Sequence, residues 1–347
     1  MAATITADRQ VARENELTAW FASLPMGGRA QLRAVAGDAS FRRYFRSTAG
    51  AHSVVLCDAP PETEKNAEFL RIATAMAAAG VRVPRVLAFD LERGFLCLED
   101  LGDQLLLPLL NEQSGEMYYR RAMAMLADLA MAPPAPFALS DYDRAHLARE
   151  MALFPEWFCG GLLGMDDGGE GAACFAALQE ALCERALGQT QVVVHRDFHA
   201  RNIMVLADGA LAAIDFQDAV YGPVTYDLVS LLRDCYIRWP AHKVRHWALL
   251  HRDELRERGL VVSAKDHEFL ADFDWMGLQR HIKVLGIFAR LFLRDGKDAY
   301  LADLPRVIAH VRDVLAIYGE VPALADFARW FDNALLPRIR EQHWYRS

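Results

Sequence analysis

The sequence is poor in features that would take it out of the ordinary globular class. No stretch approaches the ~20 consecutive apolar residues that a bilayer-spanning helix requires. The opening MAATITADRQVAREN turns polar before an apolar targeting core could form, so a cytoplasmic protein with no membrane partner is expected. Long Lys/Arg runs are missing, and 46 acidic residues against 38 basic ones leave a formal charge of -8. Nucleic acid demands clustered positive charge and is therefore not an expected partner. The six cysteines, Cys57, Cys97, Cys159, Cys174, Cys183 and Cys235, are scattered without a CxxC pair. That removes a cysteine-based metal site and predicts reduced, buried thiols. HExxH is absent, which leaves little to support zinc at His195, Asp197 and His199. There is no internal repeat and no low-complexity linker.

What is present is a chain of 347 residues, 53% apolar and 24% charged. It can bury a sizeable core and, at roughly 150 residues per domain, is long enough for about two domains. A short amphipathic helix over 8–23 comes first. Residues 32–36, 41–47 and 53–57 then read as short strands, joined by turns at Gly37-Asp38-Ala39-Ser40 and around Gly50. Pro60-Pro61 ends that segment. Over 64–79, Phe69, Ile72, Ala73 and Met76 fall at i, i+3, i+4 and i+7, one face of a helix, with Gly80 as its stop. Residues 83–89 and 95–98 predict two more strands. Beyond Glu99-Asp100-Leu101-Gly102 helical patterns dominate, over 117–131, 141–158, 170–187 and nearly everything after Tyr226. Two short apolar β runs, 192–194 and 211–214, interrupt them. The expectation is an α+β fold of two lobes, a small antiparallel-sheet lobe with one helix over 1–101 and a mostly helical lobe over 102–347, acting as a monomer.

The densest chemical signal is His195-Arg196-Asp197-Phe198-His199-Ala200-Arg201-Asn202. An apolar strand leads into it, and Asp215-Phe216 follows thirteen residues after Asn202. Phosphoryl transfer asks for an acceptor held in line and for divalent metal that neutralises phosphate charge, and Mg2+ prefers hard oxygen ligands. Asp197 fits the catalytic base that orients a hydroxyl and takes its proton. Asn202 and Asp215 fit the ligands of Mg2+. The string HRDFHARN resembles the protein-kinase catalytic loop H-R-D-x-x-x-x-N, with Asp215-Phe216-Gln217 at the place of D-F-G. GPVTYDL over 222–228 resembles a segment of aminoglycoside phosphotransferases and choline kinases, which implies that Asp227 supports the loop from a helix start.

Longer strings go further. FRRYFR (41–46), DAPP (58–61), LERGFLCLEDLG (91–102), DFQDAVYGPVTYD (215–227), QRHIKVLGIFARL (279–291), RDGK (294–297) and YLADLPR (300–306) are similar to one bacterial family. It is the anomeric N-acetylmuramate/N-acetylglucosamine kinases of cell-wall recycling, within the protein-kinase-like aminoglycoside phosphotransferase superfamily. The resemblance spans about residues 37 to 306. It implies a kinase-like fold, ATP and Mg2+ as cofactors, a small-molecule amino sugar as acceptor, and the sugar 1-phosphate as product. The first lobe would clamp ATP, and Glu99, Asp100 and Leu101 would form the hinge that bonds adenine through its backbone.

Two departures from the general kinase pattern bear on the nucleotide site. The phosphate loop is not GxGxxG, so its contacts would come from backbone N–H groups and Ser40, beside Phe41. The third strand carries no Lys, so Arg43 or Arg46, or Lys65, would stand in for it. Glu68 would be the helix carboxylate, with Glu64 as the alternative. Arg201, four residues after Asp197, stands where tyrosine kinases carry an Arg near the transferred phosphate. His195 is expected to pack under the loop, and His199, Asp218 and Tyr221 to face the acceptor. Arg280 could read the lactyl carboxylate of muramate bidentately; the plainer alternative is a solvated basic face of Arg280, His281 and Lys283. Trp239, Trp247 and Trp275 are expected in the core rather than as sugar platforms. The rival functions are kinases of an aminoglycoside, choline or another sugar, and a nucleotide-binding pseudokinase.

Overall fold

The computed structural model describes residues 7–27, 31–35, 42–47, 53–166 and 169–345. The chain gathers into two compact units, one of residues 1–104 with 203–217, the other of 105–202 with 218–347.

In the first unit a helix, α1 (Ala7–Ser23), precedes the strands β1 (Leu32–Val35), β2 (Arg43–Ser47) and β3 (Val54–Asp58). The helix α2 (Asn66–Ala78) and the strands β4 (Val86–Asp90) and β5 (Phe95–Glu99) follow. The five strands form one antiparallel sheet in the order β1-β2-β3-β5-β4. Leu17, Trp20 and Phe21 of α1 pack on Phe45, Val54, Leu56, Phe95 and Cys97, which alternation along the strands brings to one face. The buried residues of α2 include Phe69, Ile72, Ala73 and Met76, the face that the helical spacing marks. β4 starts at Val86 rather than Val83, because Pro84 has no N–H to give a ladder.

The second unit opens with α3 (Gly115–Ala130), α4 (Arg144–Met151), α5 (Glu170–Leu187) and the strand β6 (Gln191–Val194). The chain next makes a hairpin of β7 (Ile203–Val205) and β8 (Leu211–Ala213), which belongs to the first unit. Val205 N–H bonds Gln104 O there at 2.8 Å and Ala213 N–H bonds Arg82 O at 2.8 Å. Back in the second unit come β9 (Val220–Pro223), which pairs antiparallel with β6, and α6 (Tyr226–Leu232), α7 (Ala241–Glu257), α8 (Asp266–Asp295), α9 (Leu304–Ile317), α10 (Pro322–Trp330) and α11 (Leu336–Arg340).

The single helix expected over 141–158 is two pieces. Asp143 caps α4 by accepting the His146 N–H at 2.8 Å. Pro155 cannot continue the α ladder, and Phe154–Leu162 winds as a π-helix instead. The 30-residue α8 packs against this π-helix and against α5, α6 and α9. Gly286 permits the approach, since a Cβ there would stand 2.3 Å from the Leu153 carbonyl carbon. Because α8 is covered on nearly all sides, Arg280, His281 and Lys283 are all buried. The solvated basic face does not exist. Trp239 and Trp247 are buried against Tyr119. All six cysteines are buried thiols outside any disulfide. Among the described residues no helix is long and apolar enough to cross a membrane.

Candidate active site

The buried run Val192-Val193-Val194 of β6 delivers the chain into the loop at His195. Asp227, in the first turn of α6, accepts the His195 N–H on Oδ2 at 2.6 Å and the Arg196 N–H on Oδ1 at 2.9 Å. Burial pushes its carboxyl up to about 7 against the pull of those two N–H groups. Arg196 adopts φ 76°, in the left-handed region. A non-glycine residue there costs roughly 1–3 kcal/mol and needs the surroundings to hold it. Besides Asp227, Arg280 does so, donating to Arg196 O at 3.1 Å.

The rest of the loop is tied residue by residue. Asp197 N–H bonds His195 Nδ1 at 3.3 Å, and His199 N–H bonds Asp197 O at 3.0 Å. Ala200 N–H bonds Asp234 Oδ2 at 3.0 Å. Asn202 donates its N–H to His199 O at 2.8 Å and its Nδ2 to Asp197 O at 3.0 Å. Phe198 anchors the loop from below, its ring meeting the buried His195 edge-on. The Asp197 side chain nonetheless stays 41% exposed. Desolvation pushes its carboxyl up, but the positive charges of Lys283 and Arg280, then of His199 and Arg196, hold it well below the ordinary carboxylate range. Arg280 Nη1 is 3.7 Å from Asp197 Oδ1. The arrangement is an ionised carboxylate on a loop tied at nearly every residue by hydrogen bonds.

Around this loop the second unit places the other expected residues. Arg201 is exposed, its guanidinium 4.1 Å from the centre of the Tyr236 ring. His199 meets the same Tyr236 at 5.5 Å between ring centres. Asp218 is exposed and its carbonyl accepts Arg196 Nη1 at 3.2 Å. Tyr221 is half-buried in β9, with its N–H on Ser140 O at 3.0 Å and its carbonyl taking the Tyr142 N–H at 2.7 Å. Arg280 points inward, to Arg196 O and, at 3.4 Å, to the Tyr226 hydroxyl.

The first unit holds the remaining candidates. Asp215, just after β8, is exposed at φ 65°, again left-handed, and its Oδ1 accepts Gln217 Nε2 at 2.6 Å. Phe216 beside it is buried on Phe69, ring centres 4.8 Å apart. Arg43 pairs with Asp58 at 2.6 Å, and Arg46 with Asp100 at 2.7 Å. Glu99 binds Arg82 at 2.5 Å and Arg85 at 3.3 Å, and its N–H is committed to Arg85 O at 2.9 Å. Leu101 is half-buried between Asp100 and Gly102. Lys65 is exposed, and Glu68 is half-buried in the first turn of α2. Ser40 and Phe41 lie outside the described residues.

Sequence reasoning passed over Arg42 and Glu150, and set Lys283 on a solvated face although it is buried. Arg42 is buried, 3.0 Å from Glu64 Oε2, with its guanidinium 4.9 Å from the centre of the Phe69 ring. Its positive charge and the negative charge of Asp215 act in opposite directions on the ionisation of the buried Tyr44 hydroxyl. Strand alternation in FRRYFR was the available signal, since Arg42 and Tyr44 share a face that Arg43 does not. Glu150 and Lys283, 3.0 Å apart, lie behind the catalytic loop; only the i, i+3 spacing of Lys283 from Arg280 hinted at them.

Residues 31–275 match the phosphotransferase enzyme family, which defines the class as enzymes of phosphoryl transfer. Solved structures of low identity share the protein-kinase-like fold. An ethanolamine kinase of Plasmodium vivax superposes with a TM-score of 0.64 at 10% identity, covering 89% of this chain and 91% of its own. Two curated relatives are far closer in sequence. The N-acetylmuramate/N-acetylglucosamine kinase of Pseudomonas putida is 41% identical over 324 residues, 93% of each chain. That of Pseudomonas aeruginosa is 40% identical over 302 residues, 86% of this chain and 87% of its own. The chain belongs to this N-acetylmuramate/N-acetylglucosamine kinase family, within the phosphotransferase enzymes.

Proposed function

We propose that the protein transfers the γ-phosphoryl group of ATP to the anomeric C1 hydroxyl of N-acetylmuramate and N-acetylglucosamine, giving the sugar 1-phosphate and ADP in cell-wall recycling. The observation that carries the chemistry is the exposed, ionised Asp197 carboxylate on its clamped loop. The relatives' printed activity supports the acceptor. The C1 oxygen attacks the γ-phosphorus as the bond to the β–γ bridging oxygen breaks, and the hydroxyl proton passes to Asp197. A strongly ionised carboxylate is a weak base. It suits a loose transition state in which the proton leaves late, and an anomeric hydroxyl, which the ring oxygen makes more acidic than its neighbours.

The donor set fits Mg2+ by its chemistry, with the Asn202 and Asp215 side chains offering hard oxygens. Asn202 commits Nδ2 to Asp197 O and so turns Oδ1 the other way. A bound Mg2+ would neutralise charge on the phosphates. Arg42, paired with Glu64, supplies the nucleotide side with the cation that the third strand lacks. Arg201, steadied over Tyr236, serves the transferred group, with His199, Asp218 and Tyr221 toward the acceptor. Glu99 to Leu101 hold adenine.

Phosphorus NMR of protein, ATP, Mg2+ and either amino sugar tests this. A sugar 1-phosphate resonance split by the anomeric proton is expected, with Asp197→Asn slower by about 10²–10⁴-fold. Wild-type protein that gives no product with either sugar would sink the acceptor assignment.

A further inference from the structure

Behind the candidate catalytic loop the second unit buries a cluster of charged side chains. Lys283 of α8 is 5% exposed. Its Nζ lies 3.0 Å from Glu150 Oε1 and donates to the Tyr226 hydroxyl at 3.0 Å. Arg280, one turn earlier and also buried, reaches the same hydroxyl at 3.4 Å, Arg196 O at 3.1 Å and the Asp197 carboxylate at 3.7 Å. Glu150, from α4, also binds the Arg196 guanidinium and the Tyr142 hydroxyl. Ser230 Oγ adds a bond to Arg196 O at 3.4 Å. Both the carbonyl and the side chain of the residue before Asp197 are therefore held by one network.

Burying a Lys–Glu pair gives weak stability at best, since apolar residues of equal volume often do as well or better. Lys283 has no open face for a substrate, so it acts through its neighbours. Its ammonium divides the Glu150 carboxylate with Arg196 and fixes the Tyr226 hydroxyl against which Arg280 is braced. Without that charge Glu150 would draw Arg196 and Arg280 toward itself, and both set where the Asp197 carboxylate stands. A misplacement of about 1 Å at a reacting group costs on the order of 100-fold in rate.

We propose that Lys283 and Glu150 form a positioning pair for Asp197, acting through Tyr226, Arg280 and Arg196. The inference rests on Asp197 being the base. In steady-state kinetics, Lys283→Gln keeps a donor and removes the charge. It is expected to lower kcat about 100-fold with KM for ATP within about threefold of wild type. Lys283→Arg restores the charge and should recover most of the loss, which a purely volumetric role would not allow. Glu150→Gln should cost about 10-fold, and combining it with Lys283→Gln should add little, as for residues acting as a unit. A Lys283→Gln enzyme with wild-type kcat overturns the proposal, as does a loss that Lys283→Arg fails to relieve. Should Lys283→Gln not fold, Glu150→Gln decides, and a wild-type kcat there overturns it equally. The acceptor used is whichever one the wild-type enzyme phosphorylates. Failure of the amino-sugar assignment then shows in the wild type alone, and failure of the positioning role shows only in the variants.

Discussion

Arg42 and Arg43 are chain neighbours with opposite surroundings. Arg43 pairs with Asp58 and caps Gln10 O on the α1 side of the sheet, while Arg42 faces α2, Glu64 and Tyr44. If Arg42 meets the nucleotide phosphates, Arg42→Ala should raise KM for ATP about 10- to 100-fold, the loss of one charge-assisted bond, with a smaller effect on kcat. Titrating ATP against initial rate checks this, and Arg43→Ala, which should leave KM for ATP near wild type, is its control. The candidate catalytic loop was legible as a motif because its candidate groups are contiguous, from His195 to Asn202. Arg42 was not, because its neighbour carries the same side chain and only the strand's phase separates them. Glu150 and Lys283 were illegible for a different reason. They come from helices well separated in sequence from the loop, and nothing local marks a buried charge as paired.

The elements with clear periodicity, α1, α2, α3 and α5 and the strands of the first sheet, appear where the sequence puts them, within a few residues at their ends. β7, β8 and β9 are three or four residues long and almost wholly buried. Too short and too apolar to alternate, they left only fragments of signal. α8 carries charged residues at positions that look exposed, and the burial of its middle turns, Arg280, His281 and Lys283 included, is a tertiary outcome. The closeness of α8 to the π-helix after α4 is set by a missing side chain. Gly286→Ala would press a methyl group into Leu153 backbone atoms 2.3 and 2.5 Å away. Overpacking of this kind costs about 1–3 kcal/mol, so the melting temperature should drop by roughly 2–10 °C. Calorimetry would show it, and an unchanged melting temperature would mean that the helices can part at no cost.

At the scale of the whole molecule, the buried titratable groups give a signed prediction. Burial lowers His251 and His281 to about 3 and His310 well below its usual value, the last two stacked with ring centres 4.7 Å apart. Their pKa values are depressed bases, so the unfolded chain takes up protons between about pH 6.5 and pH 3 that the folded chain refuses. Stability must fall as pH falls through that window. Asp227 opposes it, because its carboxyl, raised to about 7, binds a proton in the folded state from about pH 7 down to the unfolded value. Against the three histidines stand Asp227 and, in the same sense, Asp272 and Asp303, whose carboxyls burial also raises, which leaves at most about two protons, or roughly 2.7 kcal/mol per pH unit. Urea midpoints at about pH 7 and pH 5 measure this. His251→Gln should flatten the slope by about one proton. A midpoint that rises on acidification would contradict the sign.

The hairpin over 203–217 belongs with residues 1–104, although about a hundred residues of the other unit intervene. During synthesis the first unit therefore stays incomplete after its five-stranded sheet has emerged. Its partners for Arg82 O and Gln104 O are not made until the ribosome has passed the catalytic loop. A fragment ending near residue 104 would lack them, and the sheet-bearing unit can be produced whole only from a chain that already contains His195 to Asn202.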